Sequence, residues 1–253
     1  MSKSIRKKEN ALEIKNLSLR NHNEEILKNI SMKLQANSIT GIIGGSGSGK
    51  TTLFKTILRA QIPPNAKISG EILLFGEKLN KKNKIQIQPV FQDPIGYFNP
   101  KWTLREILFE PMKIRFQLEN HEKEKKASTL LEEFGFSRAD LDKNIKEFSG
   151  GEMQRFAIFR AILSEPKVIL MDEPVSALDP LVQKDIVVFI KKIQQSKKIS
   201  ILFISHDIEI VGWLCENLYV MRNGELVEEG NAQGTFKNPK HEYTKSILQS
   251  TYL

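Results

Sequence analysis

The sequence predicts an α/β protein with a mainly parallel sheet core, an N-terminal antiparallel β subdomain and a helical insert. Three observations lead there. Residues 11–34 carry two stretches of alternating apolar and polar side chains. Short, nearly continuous apolar runs, "SITGII", "VILMD" and "ISILFIS", recur among helical stretches. From about Trp102 to Leu163 helical periodicity dominates.

Taken in order, "ALEIKNLSLR" and "ILKNISMKL" read as half-buried strands joined by the polar turn "NHNEE". "SITGII" is a buried parallel strand by its continuous apolarity. "KTTLFKTILRA" has helical spacing and stops before Pro63-Pro64. "ISGEILLFG" and "IQIQPVF" are strands on either side of a lysine-rich loop. Helices are expected over "TLREILFEPMKI", "EKEKKASTLLEEF" and "GEMQRFAIFRAIL". The strands "VILMD" and "ISILFIS" then flank the helix "PLVQKDIVVFIKKIQQSK", and the helix "DIEIVGWLCE" follows. "NLYVMRNGELVEEG" predicts a hairpin turning at Asn223-Gly224, with a last helix around "HEYTKSILQS". The expected organisation is one domain over 1–253: core segments at about 11–92 and 164–230, an insert at about 93–163 and a tail at 231–253. No internal repeat and no low-complexity linker is present.

The 253 residues are 40% hydrophobic, enough for a packed core, and the 27% charged residues are mixed in sign, which argues against wholesale disorder. A net charge of +8 sits largely in dispersed lysine clusters, "SIRKKEN", "KLNKKNK" and "EKEKK". These read first as solvated loops and helix faces; anionic lipid and nucleic acid are the alternatives, and charge alone does not decide among them. The single cysteine, Cys215, lies in the apolar "IVGWLC". It excludes an internal disulfide and a cysteine metal cluster, and reads as a buried small hydrophobe. The basic N-terminus lacks the apolar segment of a signal peptide, and no apolar run approaches the ~20 residues needed to cross a bilayer. Any membrane role is therefore expected to come through a partner.

"GGSGSGKTT", residues 44–52, fits G-x-x-x-x-G-K-[ST] through Gly44, Gly49, Lys50 and Thr51, with Gly45, Ser46, Gly47, Ser48 and Thr52 completing the loop. It lies between a buried strand and a helix, where the mechanism requires it. Glycines let the backbone N–H groups turn inward around phosphates, and the helix start adds positive partial charge. Lys50 reaches the terminal phosphates and the Thr51 hydroxyl ligates Mg²⁺. A nucleoside triphosphate is the expected ligand.

Downstream, "VILMDEP" ends an apolar strand in two acids. Ligands of doubly wound sheets bind beyond the carboxyl ends of the strands. Asp172 thus suits the Mg²⁺ shell, and Glu173 the polarisation of an attacking water. "ISILFISHD" repeats the design, with His206 expected to hydrogen-bond the γ-phosphate or orient the water. Gln92, in "VFQDP", follows another strand-like run and suits contact with Mg²⁺ or the water.

The phosphate loop, Gln92, "FSGGE", "VILMDE", "SALD" and "ISHD", in that order, resemble the ATP-binding-cassette (ABC) ATPases over nearly the whole chain. The resemblance implies ATP hydrolysis with Mg²⁺ and a P-loop NTPase fold. It also implies a use for the second glycine pair: Ser149, Gly150, Gly151 and Glu152 would face the γ-phosphate held by a second cassette, two ATP molecules being sandwiched head to tail. "SALD", Ser176 to Asp179, would by resemblance pass between the two sites.

Three departures stand out. Glu152 occupies a position usually held by Gln, and its charge is expected to weaken or retune closure. Phe148 replaces Leu. The first hairpin lacks the aromatic residue that stacks on adenine, Asn21 or His22 standing in that neighbourhood. "VFQDPIGYFNPKWTLREILFEPM" and "FKNPKHEYTKSILQS", with Glu242 where Pro is usual, resemble the peptide/nickel importer ATPases. The short C-terminus and single cysteine lean towards nickel or a metal chelate over peptides. That branch implies a peripheral subunit on the cytoplasmic face of the membrane, beneath two permease subunits. It also implies a second, non-identical ATPase, an extracytoplasmic solute-binding protein met only indirectly, and no nucleic acid. Residues around Gln92 to Trp102 and the helical insert would hold the permease's coupling helix. An exporter subunit and a non-transport ABC protein acting on nucleic acid are the competing classes.

Overall fold

A computed structural model describes residues 9–251 except 94, 95 and 97. The N-terminal lysine cluster up to Lys8, and Pro94, Ile95 and Tyr97 of the "QDP…NP" stretch, therefore lie outside the described residues. The chain divides into two compact units. One joins the segment up to Lys84 to the segment from Lys191; the other is Ile85–Ile190.

In the first unit, β1 (Asn10–Asn21) pairs antiparallel with β2 (Glu24–Gln35) and, on its other side, with β4 (Lys67–Leu74), whose short partner β5 (Glu77–Lys78) closes the order β2-β1-β4-β5. Leu17, Leu19, Leu27, Ile30 and Leu34 are buried. Alternation accounts for Leu17 with Leu19 and for Ile30 with Leu34, and a register shift between the pairs Leu17–Ile30 and Leu19–Leu27 takes up the three-residue step on β2. The central strand β3 (Ile39–Ile43) is buried along its whole length and lies parallel to both β8 (Ser200–Ile204) and β9 (Asn217–Arg222). Strands covered on both faces have no polar side to show, which is why the sequence reads there as continuous apolar runs. β10 (Glu225–Asn231) returns antiparallel on β9. The turn carries Asn223 at φ 49 and Gly224 at φ 81, the pair of positive angles that a two-residue hairpin of this twist requires.

α1 (Lys50–Leu58) buries Leu53, Phe54 and Ile57. α6 (Ile208–Leu214), α7 (Ala232–Lys237) and α8 (Glu242–Thr251) complete this unit. Two elements here were absent from the sequence reading. The two-residue β5 and the six-residue α7, "AQGTFK", are too short for periodicity to register.

The second unit pairs β6 (Ile87–Val90) parallel with β7 (Val168–Asp172). Its helices are α2 (Leu104–Arg115), α3 (Asn120–Glu133) and α4 (Gly150–Ile162), and α5 (Pro180–Lys197) runs from it into the first unit. α2 opens on a capping box in which Thr103 and Glu106 satisfy each other's backbone N–H. The core is aromatic: Phe156 stands edge-on to Phe148 at 4.7 Å and tilted to Phe136 at 4.9 Å, while Phe159 meets Phe189 edge-on at 5.4 Å. Cys215 is 7% exposed, the buried small hydrophobe expected of it, and burial pushes its thiol pKa far up.

Candidate active site

The phosphate loop is seated by the hairpin β9–β10. Gly224 N–H donates to the Ser48 carbonyl at 2.9 Å, and the Gly224 carbonyl accepts from Lys28 N–H at 2.8 Å. A Cβ on Gly44 would lie 2.2 Å from the Met221 carbonyl oxygen, so only glycine lets the loop leave β3 against that strand. Lys50 is buried, and its ammonium donates to the Gly44 carbonyl at 2.8 Å and the Gly45 carbonyl at 3.0 Å. Ser46 and Gly47 are exposed at the loop's crest, Thr51 is exposed, and Thr52 is half-buried.

These residues fit a polyphosphate. α1 begins at Gly49, which supplies no side-chain cap, and no acid stands in its first turn. Its opening N–H groups thus meet no side-chain cap and the positive end of its dipole no neutralising acid, as a site for an anion requires. Ser48 Oγ is buried without a hydrogen-bond partner among the described residues. The unit also contributes His206, exposed immediately after β8. The next residue, Asp207, is spent locally as the N-cap of α6, accepting from Ile210 N–H at 3.0 Å. His22, the candidate for stacking on a base, sits exposed at the tip of the β1–β2 hairpin with φ 51.

In the second unit, Asp172 ends β7 and is 8% exposed. Glu173 follows in the left-handed region at φ 48, a strained backbone for a non-glycine residue and of the kind that collects at functional sites. Its carbonyl accepts from Ser176 N–H at 3.3 Å and from the Ser176 hydroxyl at 3.1 Å, which fixes the turn into "SALD". Asp179 then caps α5, accepting from Leu181 and Val182 N–H at 3.2 and 3.1 Å. Gln92 is exposed after β6. The donor set expected for Mg²⁺, the Thr51 hydroxyl, the Gln92 amide and the Asp172 carboxylate, consists of hard oxygens, as that ion prefers.

α4 starts at Ser149 with Gly150 and Gly151 in its first turn, as the glycine pair suggested. A Cβ on Gly151 would strike Val182 Cγ1 at 2.6 Å, so α4 and α5 touch closely there. Glu152 folds back on Ser149 in a capping box, a pattern legible as S-x-x-E but not read as one beforehand.

A cavity of about 220 Å³ in this unit is lined by Phe98, Asn99, Trp102, Ile107, Glu110 and Arg160. Arg160 closes one wall by pairing with Glu110 at 2.5 Å. Trp102 is tied in place by its carbonyl, which accepts from Ile145 N–H at 3.0 Å.

Sequence reasoning missed Tyr243, whose hydroxyl accepts from Gly45 N–H at 2.8 Å. Nothing local marks a residue so far along the chain as a neighbour of the loop.

Comparison with known proteins gives a consistent picture. The family profile described as ABC transporter matches residues 27–176. A second profile, described as an AAA domain, putative AbiEii toxin, matches residues 144–212. Among curated proteins, the peptidoglycan transport ATP-binding protein YejF of Agrobacterium fabrum is 38% identical over 88% of this chain and 41% of its own length. The oligopeptide transport ATP-binding protein OppF of Lactococcus lactis is 36% identical over 87% of this chain and 70% of its own length. The chain thus spans less than half of the first relative and about two thirds of the second. Among solved structures, cbiO1 from Clostridium perfringens, part of the ABC transporter complex cbiONQ, superimposes with a TM-score of 0.79 at 29% identity, covering 91% of this chain and 92% of that one. An ATP-binding subunit of another ABC transporter shares the fold at a TM-score of 0.74 and 24% identity, over 94% and 99% of the two chains.

Proposed function

Because the chain belongs to the ABC transporter family and carries that family's ATPase domain, we propose that it hydrolyses ATP to power solute uptake through separate membrane subunits. The observation that carries this reading is the uncapped start of α1 behind a loop whose exit from β3 only glycine at position 44 allows, with Lys50 folded into it. Lys50 would exchange the Gly44 and Gly45 carbonyls for phosphate oxygens, and the loop's N–H groups would take the rest. Glu173 is the base that would polarise water, and His206 and Gln92 would orient it. Thr51, Gln92 and Asp172 would hold Mg²⁺, whose charge offsets that of the phosphate oxygens when bound. We read the chain as one domain, with core at about 11–92 and 164–230, insert at about 93–163 and tail at 231–253.

Ser149 to Glu152 would serve the nucleotide of a second ATPase, in a closed pair that hydrolysis releases. That second subunit is read as non-identical, and no nucleic acid enters the reading. Two permeases are the membrane partners, and the cavity beside Trp102 offers a seat for a short cytoplasmic helix of one of them. Among the described residues no helix is long and apolar enough to cross a membrane, in keeping with a peripheral subunit on its cytoplasmic face. A solute-binding protein would deliver cargo from outside without touching this chain.

Peptides are the cargo class we favour. The lean towards nickel or a metal chelate rested on the short C-terminus and the single cysteine, whereas the relatives named above carry oligopeptide and peptidoglycan transport in their names. The test is ATPase activity and labelled peptide or nickel uptake with the permeases present, for the wild type and Lys50→Ala. Loss of both activities in the variant is expected; ATPase activity retained in Lys50→Ala, or an unchanged affinity for a fluorescent ATP analogue measured beside it, would overturn the phosphate-loop assignment.

A further inference from the structure

The peptide group joining Gly44 to Gly45 is held at both of its poles. Its carbonyl accepts from the Lys50 ammonium at 2.8 Å, and its N–H donates to the Tyr243 hydroxyl at 2.8 Å. Tyr243 comes from the first turn of α8, and the place from which it reaches the loop is built from both sides. The Arg222 guanidinium lies over its ring, 4.9 Å from the centroid. Its own N–H donates to His241 Nδ1 at 3.1 Å. The turn before α8 is fastened by Glu228, whose two carboxylate oxygens accept from Lys240 N–H at 2.8 Å and His241 N–H at 3.0 Å.

We infer that Tyr243 is a positioning residue for nucleotide binding, through which the C-terminal helix sets the orientation of the phosphate loop. The inference rests on reading that loop as the nucleotide site. Lys50 is engaged with the loop carbonyls in this arrangement, and to reach phosphate it has to release them. At that moment one pole of the Gly44–Gly45 peptide comes free, between two residues without side chains and with the broadest backbone freedom available. The Tyr243 hydroxyl is the contact that persists at the other pole. It keeps the plane of that peptide, and with it the path of the following N–H groups, from sampling arrangements that cannot cradle an anion. A site whose competent conformation is populated only fractionally binds more weakly by that fraction. The bond is therefore expected to act on affinity more than on the chemical step.

The test uses the full-length chain and a fluorescent ATP analogue. Tyr243→Phe keeps the ring and its guanidinium neighbour and removes only the acceptor. Loss of one ordinary hydrogen bond corresponds to about threefold to tenfold weaker binding. KM for ATP should rise by more than kcat falls, and amide exchange at residues 44–50 should speed up without a change in melting temperature. Glu228→Gln, which loosens the turn carrying Tyr243, should shift affinity in the same direction by less. Unchanged or tighter binding in Tyr243→Phe overturns the inference. Lys50→Ala serves as the reference: if it too leaves affinity unchanged, the phosphate-loop reading has failed, whereas loss of binding in Lys50→Ala alone confines the failure to Tyr243.

Discussion

The Glu152 carboxylate lies 2.8 Å from both the backbone nitrogen and the hydroxyl oxygen of Ser149. The acid thus occupies the start of α4, whose N–H groups and dipole would otherwise be open to an outside anion, which the proposed function takes to be the phosphate of a second subunit. An anion at a helix N-terminus stabilises the helix by about 0.3–1 kcal/mol, and the same charge repels another anion arriving there.

Glu152→Gln should separate these two effects. The amide oxygen keeps the bond to Ser149 N–H, while the charge is removed. Unfolding in denaturant should show a loss of roughly 0.3–1 kcal/mol, and ATP-dependent pairing with the sister ATPase should tighten in sedimentation. Unchanged pairing would mean that the carboxylate swings aside on closure.

Glu173→Gln leaves side-chain length and the left-handed backbone at this position as they are. Removing a positioned base lowers rates by about 10²- to 10⁴-fold, so ATP turnover should fall by that factor while nucleotide binding persists. With Mg-ATP the variant should accumulate as a pair, alone or with the sister subunit, in light scattering. A turnover rate within tenfold of wild type would exclude Glu173 as the base.

Phe156 is fully buried and joins Phe148 and Phe136. Truncation to Ala leaves a cavity in the aromatic core of the second unit and should cost about 3–5 kcal/mol, measured by chemical denaturation. A loss under 1 kcal/mol would show that the cluster closes around the gap.

Cys215 reacts as a thiolate, and burial raises its pKa far above that of a free thiol. Native protein should therefore resist a disulfide exchange reagent even at pH 9, where an ordinary exposed thiol would be mostly ionised. Unfolding in denaturant should release one rapidly reacting equivalent. Fast labelling of the native state would show that the strand and helix covering it open readily.

What could be read beforehand divides by the range of the interaction. The phosphate loop was legible because glycine spacing, lysine and threonine encode a backbone shape within nine consecutive residues, 44–52. Strands β3, β7 and β8 were legible because burial on both faces favours a nearly continuous run of apolar side chains. The hairpin at Asn223-Gly224 was legible from its turn chemistry. Tyr243 was not, because its partner Gly45 is 198 positions away and one aromatic residue in a helix carries no mark of its target. The capping role of Glu152 was written as S-x-x-E, but the glycine pair beside it drew the reading towards an outside anion. The positive φ of Glu173 has no local signature at all.

The wide separation of β3 from its neighbours shapes how the protein is made. Its five residues emerge early in synthesis, yet they bond to β8 and β9, which begin at Ser200 and Asn217. At roughly 5–20 residues per second, a nascent chain carries that greasy strand unmatched for on the order of ten seconds. A polypeptide released before residue 200 would lack both flanking strands, leaving the loop that follows β3 with no floor to rest on. Settling of the loop after β3 onto its neighbouring strands therefore waits until β8 and β9 have both been made.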